Sequence, residues 1–190
     1  MSKMKIILLS VVIVLISFGI FTFLRFPYER VIDRKLKELE KSGVKVEYRE
    51  LKVIPWKLRA LFGNFSIKTG LFRLSADELQ AKLILGSLFK KPLKIELRLR
   101  NGSISALNMP GTVIPFEEGR GILIGAGKSF KISDIFLKGS NALIKGEIEG
   151  GGKYDLRVKL SGRIREKLLS FLRFLKKDRE GFYILRSDIR

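Results

Sequence analysis

The sequence predicts a mainly β protein, in which a transmembrane helix and an amphipathic helix precede a curved antiparallel β-sheet with a C-terminal amphipathic helix. Three patterns predict this order. Residues 6–24 carry no charge. Residues 28–39 repeat apolar side chains at helical spacing, and apolar and polar side chains alternate from residue 44 onward. The predicted divisions are a cytoplasmic head (1–5), a transmembrane signal anchor (6–24), a juxtamembrane amphipathic helix (25–43) and a periplasmic antiparallel β domain (44–190).

Residues 6–24 have the length of a membrane span. At about 1.5 Å per residue, nineteen residues reach roughly 28 Å, close to the hydrocarbon thickness of a bilayer. The following FTFLRFPYER is bulky, so an uncleaved anchor is favoured over a cleaved signal peptide. Lys3 and Lys5 precede the span and more basic residues follow it, yet long C-terminal domains translocate largely regardless of charge. We therefore expect a single-pass protein of the bacterial inner membrane with its main domain in the periplasm.

The segment after the anchor predicts an amphipathic helix. Pro27 suits a first helical turn and Gly43 suits a helix end. Apolar side chains at helical spacing predict one face that packs on the domain that follows. These side chains are Tyr28, Val31, Ile32, Leu36 and Leu39.

The alternation from residue 44 predicts short antiparallel strands, and PLKIELRLRNGSISAL shows it best. Asn101-Gly102 interrupts this run, and the alternation resumes in a shifted frame, as at a bulge. A brief corner is predicted at residues 85–92 and a loop at residues 108–121. The predicted apolar face is the inside of either a groove or a sandwich-like core. It comprises Leu79, Leu83, Leu85, Leu93, Ile95, Leu97, Leu99, Leu156, Val158 and Leu160.

RIREKLLSFLRFLKK, residues 163–177, returns to helical spacing with a basic surround. One interpretation is a helix that lies on anionic lipid. The other is a helix that caps the sheet, with its cations merely solvated. The candidate membrane-surface residues are Arg165, Lys167, Arg173, Lys176 and Lys177. GFYILRSDIR is predicted to form a last strand.

The composition excludes several chemistries. The chain has 38 Lys and Arg against 19 Asp and Glu, a formal charge of +19. That charge favours anionic partners, or it reflects a thermophile-like surface. With no His and no Cys, the commonest general base, thiolate ligands and disulfides are missing. We therefore expect no enzyme activity, no cofactor and no metal. Nucleic acid is not a predicted partner, because no stacking platform is visible.

The order of these elements resembles type II secretion system protein N and, more broadly, AsmA-like periplasmic proteins. The stretches that carry the resemblance are FPYERVIDRKLKELEKSGVKVEYRELKVIP, LFRLSADELQAKLILGSLFKKPLKIELRLRNGSISAL and SDIFLKGSNALIKGEIEGGGKYDLRVKLSG with the Leu-rich helix and final strand after it. The resemblance implies a bitopic accessory subunit of a secretion system that acts through its periplasmic domain. The alternative that it implies is lipid binding or transfer in an apolar groove. The expected partners are inner-membrane lipid, other secretion-system periplasmic subunits and phospholipid acyl chains.

Overall fold

A computed structural model describes residues 12–19, 23, 25–40, 44–69, 72–87, 92–106, 113–126, 129–149 and 153–187. The described strands are β1 (Lys45–Glu47), β2 (Glu50–Ile54), β3 (Arg59–Lys68), β4 (Phe72–Leu83), β5 (Leu93–Ala106), β6 (Val113–Ala126), β7 (Ser129–Lys138), β8 (Ala142–Glu149), β9 (Lys153–Leu160) and β10 (Tyr183–Arg186). The helices are α1 (Tyr28–Glu40), α2 (Gly162–Lys167) and α3 (Leu169–Leu172), with short 3₁₀ helices at Pro55–Lys57 and Leu85–Ser87.

All ten strands form one open, curved antiparallel sheet. Its order is β1-β3-β4-β5-β6-β7-β8-β9-β10, and β2 pairs with β3 beside β1. From β3 onward each strand pairs with the next strand along the chain, as short turns dictate. The predicted curved antiparallel sheet is confirmed, and the sandwich alternative is wrong for the described residues, because they form a single layer of strands.

The change of alternation predicted at Asn101-Gly102 also occurs at the adjacent positions of neighbouring strands. Asn64 in β3 and Asn101 in β5 have φ angles of 50° and 45°, the left-handed region that Asn tolerates. The pairing register is the same on both sides of each position, so no residue is inserted. As a result, residues three apart face the same side: Phe62 and Phe65, Ala76 and Leu79, Leu99 and Gly102, and Phe116 and Gly119.

A true bulge lies further along the sheet, at Asp134 in β7. Its φ angle is 53°, and the registers with both neighbouring strands shift there. At this point β7 contains one residue more than the paired segments of β6 and β8, and this extra residue bends the strand. Ile132 and Ile135 consequently face the same side of the sheet.

Helices cover part of one face of the sheet, which we call the helix-side face. Ile32 and Leu36 of α1 pack on a cluster around Phe62, Phe65 and Leu79. Leu168 and Leu172, at the C-terminal helices, pack on a larger cluster of side chains from β4 to β9. Val31, predicted on the packed face of α1, is 44 % exposed, and the side chain of Leu39 lies outside the described residues. The opposite side of the sheet, which we call the charged face, carries Lys94, Glu96 and Arg98 of β5.

A hydrogen bond joins α1 to Tyr48, the residue that follows β1. The Tyr48 hydroxyl donates to Asp33 Oδ1 at 2.8 Å, and Lys37 binds Asp33 Oδ2 at 2.9 Å. Burial, followed by the bond to the Asp33 carboxylate, raises the pKa of Tyr48 from 10.0 to about 12. The hydrogen bond from Lys37, followed by that from Tyr48, lowers the pKa of Asp33.

Tyr48 is expected to make the protein lose stability between about pH 10 and 12. Its folded-state pKa of about 12 lies above its usual value of 10.0. The contribution is therefore fully present below pH 10 and is lost as the pH rises through the folded-state value, because only the unfolded chain releases the proton. The free energy of unfolding of the wild type should fall more steeply in this range than that of Tyr48→Phe. Parallel curves for the two proteins would contradict the assignment.

The predicted membrane span at residues 6–24 lies partly outside the described residues. Residues 12–19 are helical and expose their apolar side chains, among them Leu15 at 65 % and Phe18 at 68 %. Within the described residues, no helix is both long enough and apolar enough to span a membrane.

The loop predicted at residues 108–121 is wrong from residue 113 onward, where β6 begins. The prediction rested on Pro115 and the glycines at positions 119 and 121. Pro115 pairs with Ser103 of β5. On the other side of β6, the last residue of β7, Lys138, pairs with Glu118, so β7 does not extend as far as Pro115. β6 is an edge strand there, and an edge tolerates proline.

The C-terminal helix is shorter than predicted. It is interrupted at Leu168 and ends at Leu172. The chain then returns to the sheet: the Ile184 N–H donates to the Lys176 carbonyl at 2.9 Å, and Lys177 forms a bridge with Tyr183. Because the backbone of Lys176 and Lys177 pairs with β10, the helix cannot extend to residue 177. The predicted last strand is confirmed as β10.

Candidate functional site

Burial on the helix-side face falls along the strands. Beneath the helices one cross-strand row is 5–8 % exposed, and its members are Phe62, Leu79, Leu137, Ile144 and Val158. The next row is half-buried and includes Ala81, Leu97, Ile135 and Leu156. Furthest from the helices, Leu93 is 41 % and Phe130 44 % exposed. Among the described residues, the sheet is thus well covered at one end and uncovered at the other.

The uncovered end carries a continuous row of large apolar side chains, which we call the open strip. Each member pairs directly with the next on the neighbouring strand, and every member is half-buried. With strands about 4.8 Å apart, six strands span on the order of 24 Å. The open strip consists of Leu83, Ile95, Leu123, Ile132, Ile148 and Tyr154.

Neither helix layer reaches the open strip. The cluster under α1 and the cluster under α2 and α3 contain none of its six side chains. In the described parts of the chain, α1 contacts the β1 and β2 edge and does not extend over the strip. Half-buried aliphatic side chains without a covering layer keep apolar surface in water, which is unfavourable.

The predicted apolar residues divide between the two ends of this face. Leu79, Val158 and Leu160 are buried in the covered half. Leu99 pairs with Leu79 in the row beneath the helices and is half-buried. Leu97 and Leu156 lie in the next row, at the boundary, and Leu83 and Ile95 belong to the open strip. Leu93 lies at the exposed end of β5.

Leu85 is the exception, because it is not part of the sheet face. It lies in the 3₁₀ helix after β4 and is 64 % exposed. Ser87 holds this turn, as its hydroxyl donates to the Ile84 carbonyl at 2.6 Å and accepts the Lys94 N–H at 3.0 Å. The turn ends the alternation at Leu83, so the prediction of Leu85 as a face residue is wrong.

Sequence reasoning missed three members of the open strip: Leu123, Ile132 and Ile148. Ile122, Leu123 and Ile124 are all apolar. The sequence therefore does not show which face Leu123 occupies, because alternation identifies a face only where the adjacent residues are polar. The bulge at Asp134 separates Ile132 from Ile135 by three positions. The alternation of KYDLRVKLSG predicts Tyr154 on the same face as Leu156, Val158 and Leu160, and Tyr154 pairs with Ile148 of the open strip.

The five candidate membrane-surface residues do not share one helix. Arg165 and Lys167 lie in α2, whereas Arg173 follows α3. Lys176 and Lys177 lie in the segment that pairs with β10. All five side chains are exposed. The apolar side of α2 and α3 covers the sheet, as the capping interpretation requires, so that side is not free to enter a lipid interface.

Ionisable groups near the open strip are engaged in surface ion pairs. Lys131 Nζ lies 2.8 Å from Glu147 Oε2 and 3.4 Å from Glu149 Oε1. The hydrogen bond to Glu147 is the main cause of a raised pKa of Lys131. In the described part of the chain no three Asp or Glu side chains come together in a way that could hold a metal ion.

Among the described residues, the open strip offers an apolar surface for binding. A strip six strands wide can accept hydrocarbon or a second apolar surface. No protein-family model, no curated protein and no solved structure matches this chain.

Proposed function

We propose that this protein is a membrane-anchored binding protein whose open strip holds phospholipid acyl chains, without catalysis. The observation that carries the proposal is the loss of burial along the helix-side face, from 5 % exposure at Leu137 to 44 % at Phe130. Each methylene group that leaves water for the strip contributes about 0.8 kcal/mol. A chain of modest length therefore supplies enough free energy for binding.

Charges at the same end of the sheet suit the polar part of such a ligand. Lys57 is exposed in the turn that precedes β3 at this end of the sheet, and Lys94 and Lys153 lie at the same end on the charged face. Lysine side chains attract anionic headgroups while their alkyl stems lie along apolar surface. This end also contains Trp56, the only tryptophan of the chain, which is 68 % exposed.

The proposed location is the bacterial inner membrane, with residues 6–24 as a single anchor and the β domain in the periplasm. The uncharged composition of residues 6–24 supports the anchor. An anchor keeps the sheet beside the bilayer, where the acyl chains are.

Leu123→Asp is expected to lose bound phospholipid at least fivefold while the protein still folds. A carboxylate on the strip opposes hydrocarbon binding, whereas water reaches this half-buried position. The free energy of unfolding should decrease by about 1 kcal/mol. The measurement is phospholipid retained by the full chain after purification in detergent, determined by native mass spectrometry, together with a thermal melt.

Ile124→Asp is the matched control. Ile124 lies one position along β6 on the opposite face, between Lys94 and Lys131. This variant should retain phospholipid at the wild-type level. Equal lipid content in the wild type and both variants would place all the lipid on the anchor, and the proposal would be wrong.

A second proposed role is that of an accessory subunit of a type II secretion system. It rests on the resemblance in the order of elements, and the open architecture of the sheet favours it. The described sheet is not closed, and β1 and β2 together form one edge. Strand edges of this kind pair with other proteins. The chromosomal neighbours of the gene test this role, since isolation from every secretion or pilus gene would count strongly against it.

A further inference from the structure

The charged face, opposite the open strip, contains a depression of about 830 Å³. It lies at the bulge of β7, and its lining includes Ser133, Asp134 and Phe136 of that strand. The depression thus coincides with the bend of β7. Basic side chains that line the depression are Arg120, Lys145 and Arg157.

These cations belong to one cross-strand row, which we call the basic row. Arg98 pairs with Arg120 across β5 and β6, and Lys145 pairs with Arg157 across β8 and β9. Phe136 lies between the two pairs, and the Arg120 guanidinium stands 4.8 Å from the centre of its ring. Four cations on five neighbouring strands thus stand side by side around one aromatic ring.

The fold does not require this arrangement. A neighbouring row on the same face alternates in sign, from Glu78 to Arg100, Glu118 and Lys138. Opposite charges on paired strands stabilise a sheet, and like charges directly opposite each other destabilise it. The alternating row therefore stabilises the fold, whereas the basic row costs stability unless an anion is present.

Three of the four carboxylates that line the depression have cationic partners. Glu96 binds Arg98 at 2.7 Å, Glu147 binds Lys131 at 2.8 Å and Asp155 binds Arg186 at 2.5 Å. Asp134, at the bulge, accepts a hydrogen bond from Ser133 at 3.4 Å.

Within the described residues, by contrast, no carboxylate forms an ion pair with Arg120, Lys145 or Arg157. Lys145 is positioned instead by Phe182, with its Nζ 5.3 Å from the ring centre. The three cations thus remain available to a ligand.

We propose that the depression binds an anion that carries at least two phosphate groups. Guanidinium groups bind phosphate oxygens in a bidentate manner, and an ammonium group adds a point charge. Arg120 on β6 and Arg157 on β9 are three strands apart, which is roughly 14 Å. A single phosphate cannot reach across this distance, whereas an oligophosphate or a headgroup with two phosphates can. This site is on the other face from the open strip, so it goes beyond the proposed acyl-chain binding and fails or succeeds separately.

The test is calorimetric titration of the full chain in phosphatidylcholine vesicles with inorganic tripolyphosphate. Arg120→Gln and Lys145→Gln should each weaken binding about tenfold or more. Lys138→Gln is the matched control, because it removes the same charge from the alternating row. We expect this control to change the affinity less than twofold.

Thermal melts separate a ligand site from a structural role. Arg120→Gln should melt close to the wild-type temperature, because the repulsion from Arg98 that it removes offsets the lost contact with the Phe136 ring. Equal weakening by Lys138→Gln would show that only net charge matters, and absence of tripolyphosphate binding by the wild type would overturn the proposal as well. If Arg120→Gln folded poorly, the tripolyphosphate affinities of Lys145→Gln and Lys138→Gln would still test the proposal.

A second set of vesicles distinguishes a soluble anion from a lipid headgroup. Cardiolipin, which carries two phosphates, is added to the phosphatidylcholine. If cardiolipin headgroups occupy the site, adding cardiolipin lowers the tripolyphosphate affinity of the wild type more than that of Arg120→Gln. The decrease in Arg120→Gln measures only the repulsion of tripolyphosphate by the anionic vesicle surface. If the two proteins change equally while the first test holds, the ligand is a soluble oligophosphate.

Discussion

Replacing Gly146 with alanine is expected to unfold much of the protein. Gly146 has a φ angle of 144°, a conformation that residues with a side chain rarely adopt. An added Cβ would overlap the Asp155 carbonyl oxygen and lie 2.9 Å from Leu156 Cα. Both contacts are with backbone atoms of the paired strand β9, so no side chain can move aside. Backbone strain and overpacking together should cost about 3 kcal/mol or more, a large share of a typical domain's stability.

Gly125→Ala is the control for this prediction. Gly125 lies in β6 of the same sheet, and an added Cβ there meets no atom within 4 Å. The free energy of unfolding of this variant should stay within about 0.5 kcal/mol of the wild-type value. Urea denaturation of the three proteins measures the difference. A Gly146→Ala protein as stable as Gly125→Ala would show that β8 and β9 do not approach each other as described.

Replacing Phe116 with alanine is expected to cost about 3–5 kcal/mol, as other buried aromatic truncations do. Phe116 is 4 % exposed and lies in the larger core cluster. Its ring packs against Gly102, where an added Cβ would overlap it. Truncation leaves a cavity between the sheet and the C-terminal helices. The backbone at Gly102 cannot fill this cavity.

Phe174→Ala removes the same ring from the surface, where Phe174 is 87 % exposed. This variant should differ from the wild type by no more than about 0.5 kcal/mol in a thermal or urea melt. Similar losses from both substitutions would mean that α2 and α3 do not cover the sheet at Phe116. In that case the boundary between the covered half and the open strip would have to be redrawn.

Alternation predicted the strands well wherever one face of the sheet meets solvent. KIELRLR puts Ile95 and Leu97 opposite Lys94, Glu96 and Arg98, and the structure has them on opposite faces. The signal fails where both faces are apolar, as at Ile122 to Ile124, because periodicity then does not distinguish the sides. It also fails at the bulge, where one inserted residue brings Ile132 and Ile135 to the same side.

The ends of elements were less predictable than the elements themselves. Pro115 and its neighbouring glycines suggested a loop, but β6 tolerates proline where β7 has already ended. Helical spacing continued to residue 177, yet β10 takes up the backbone of Lys176 and Lys177. In both places a neighbouring strand decides, and local sequence holds no information about that neighbour. The anchor, the secretion role and the absence of catalysis stay predictions.

From its own residues the sequence determined the mainly β class, the antiparallel pairing of consecutive strands, an amphipathic helix on each side of the strands and a strongly basic exterior. These features follow from local periodicity, turn residues and charge, which act over a few residues. Only the tertiary structure decided that the strands form one open sheet, that the helices cover half of its apolar face, and that four cations stand in one row on the other face. Those outcomes depend on strand register and on where the helices dock. Both are set by contacts between residues far apart in the chain, so no window of the sequence contains them.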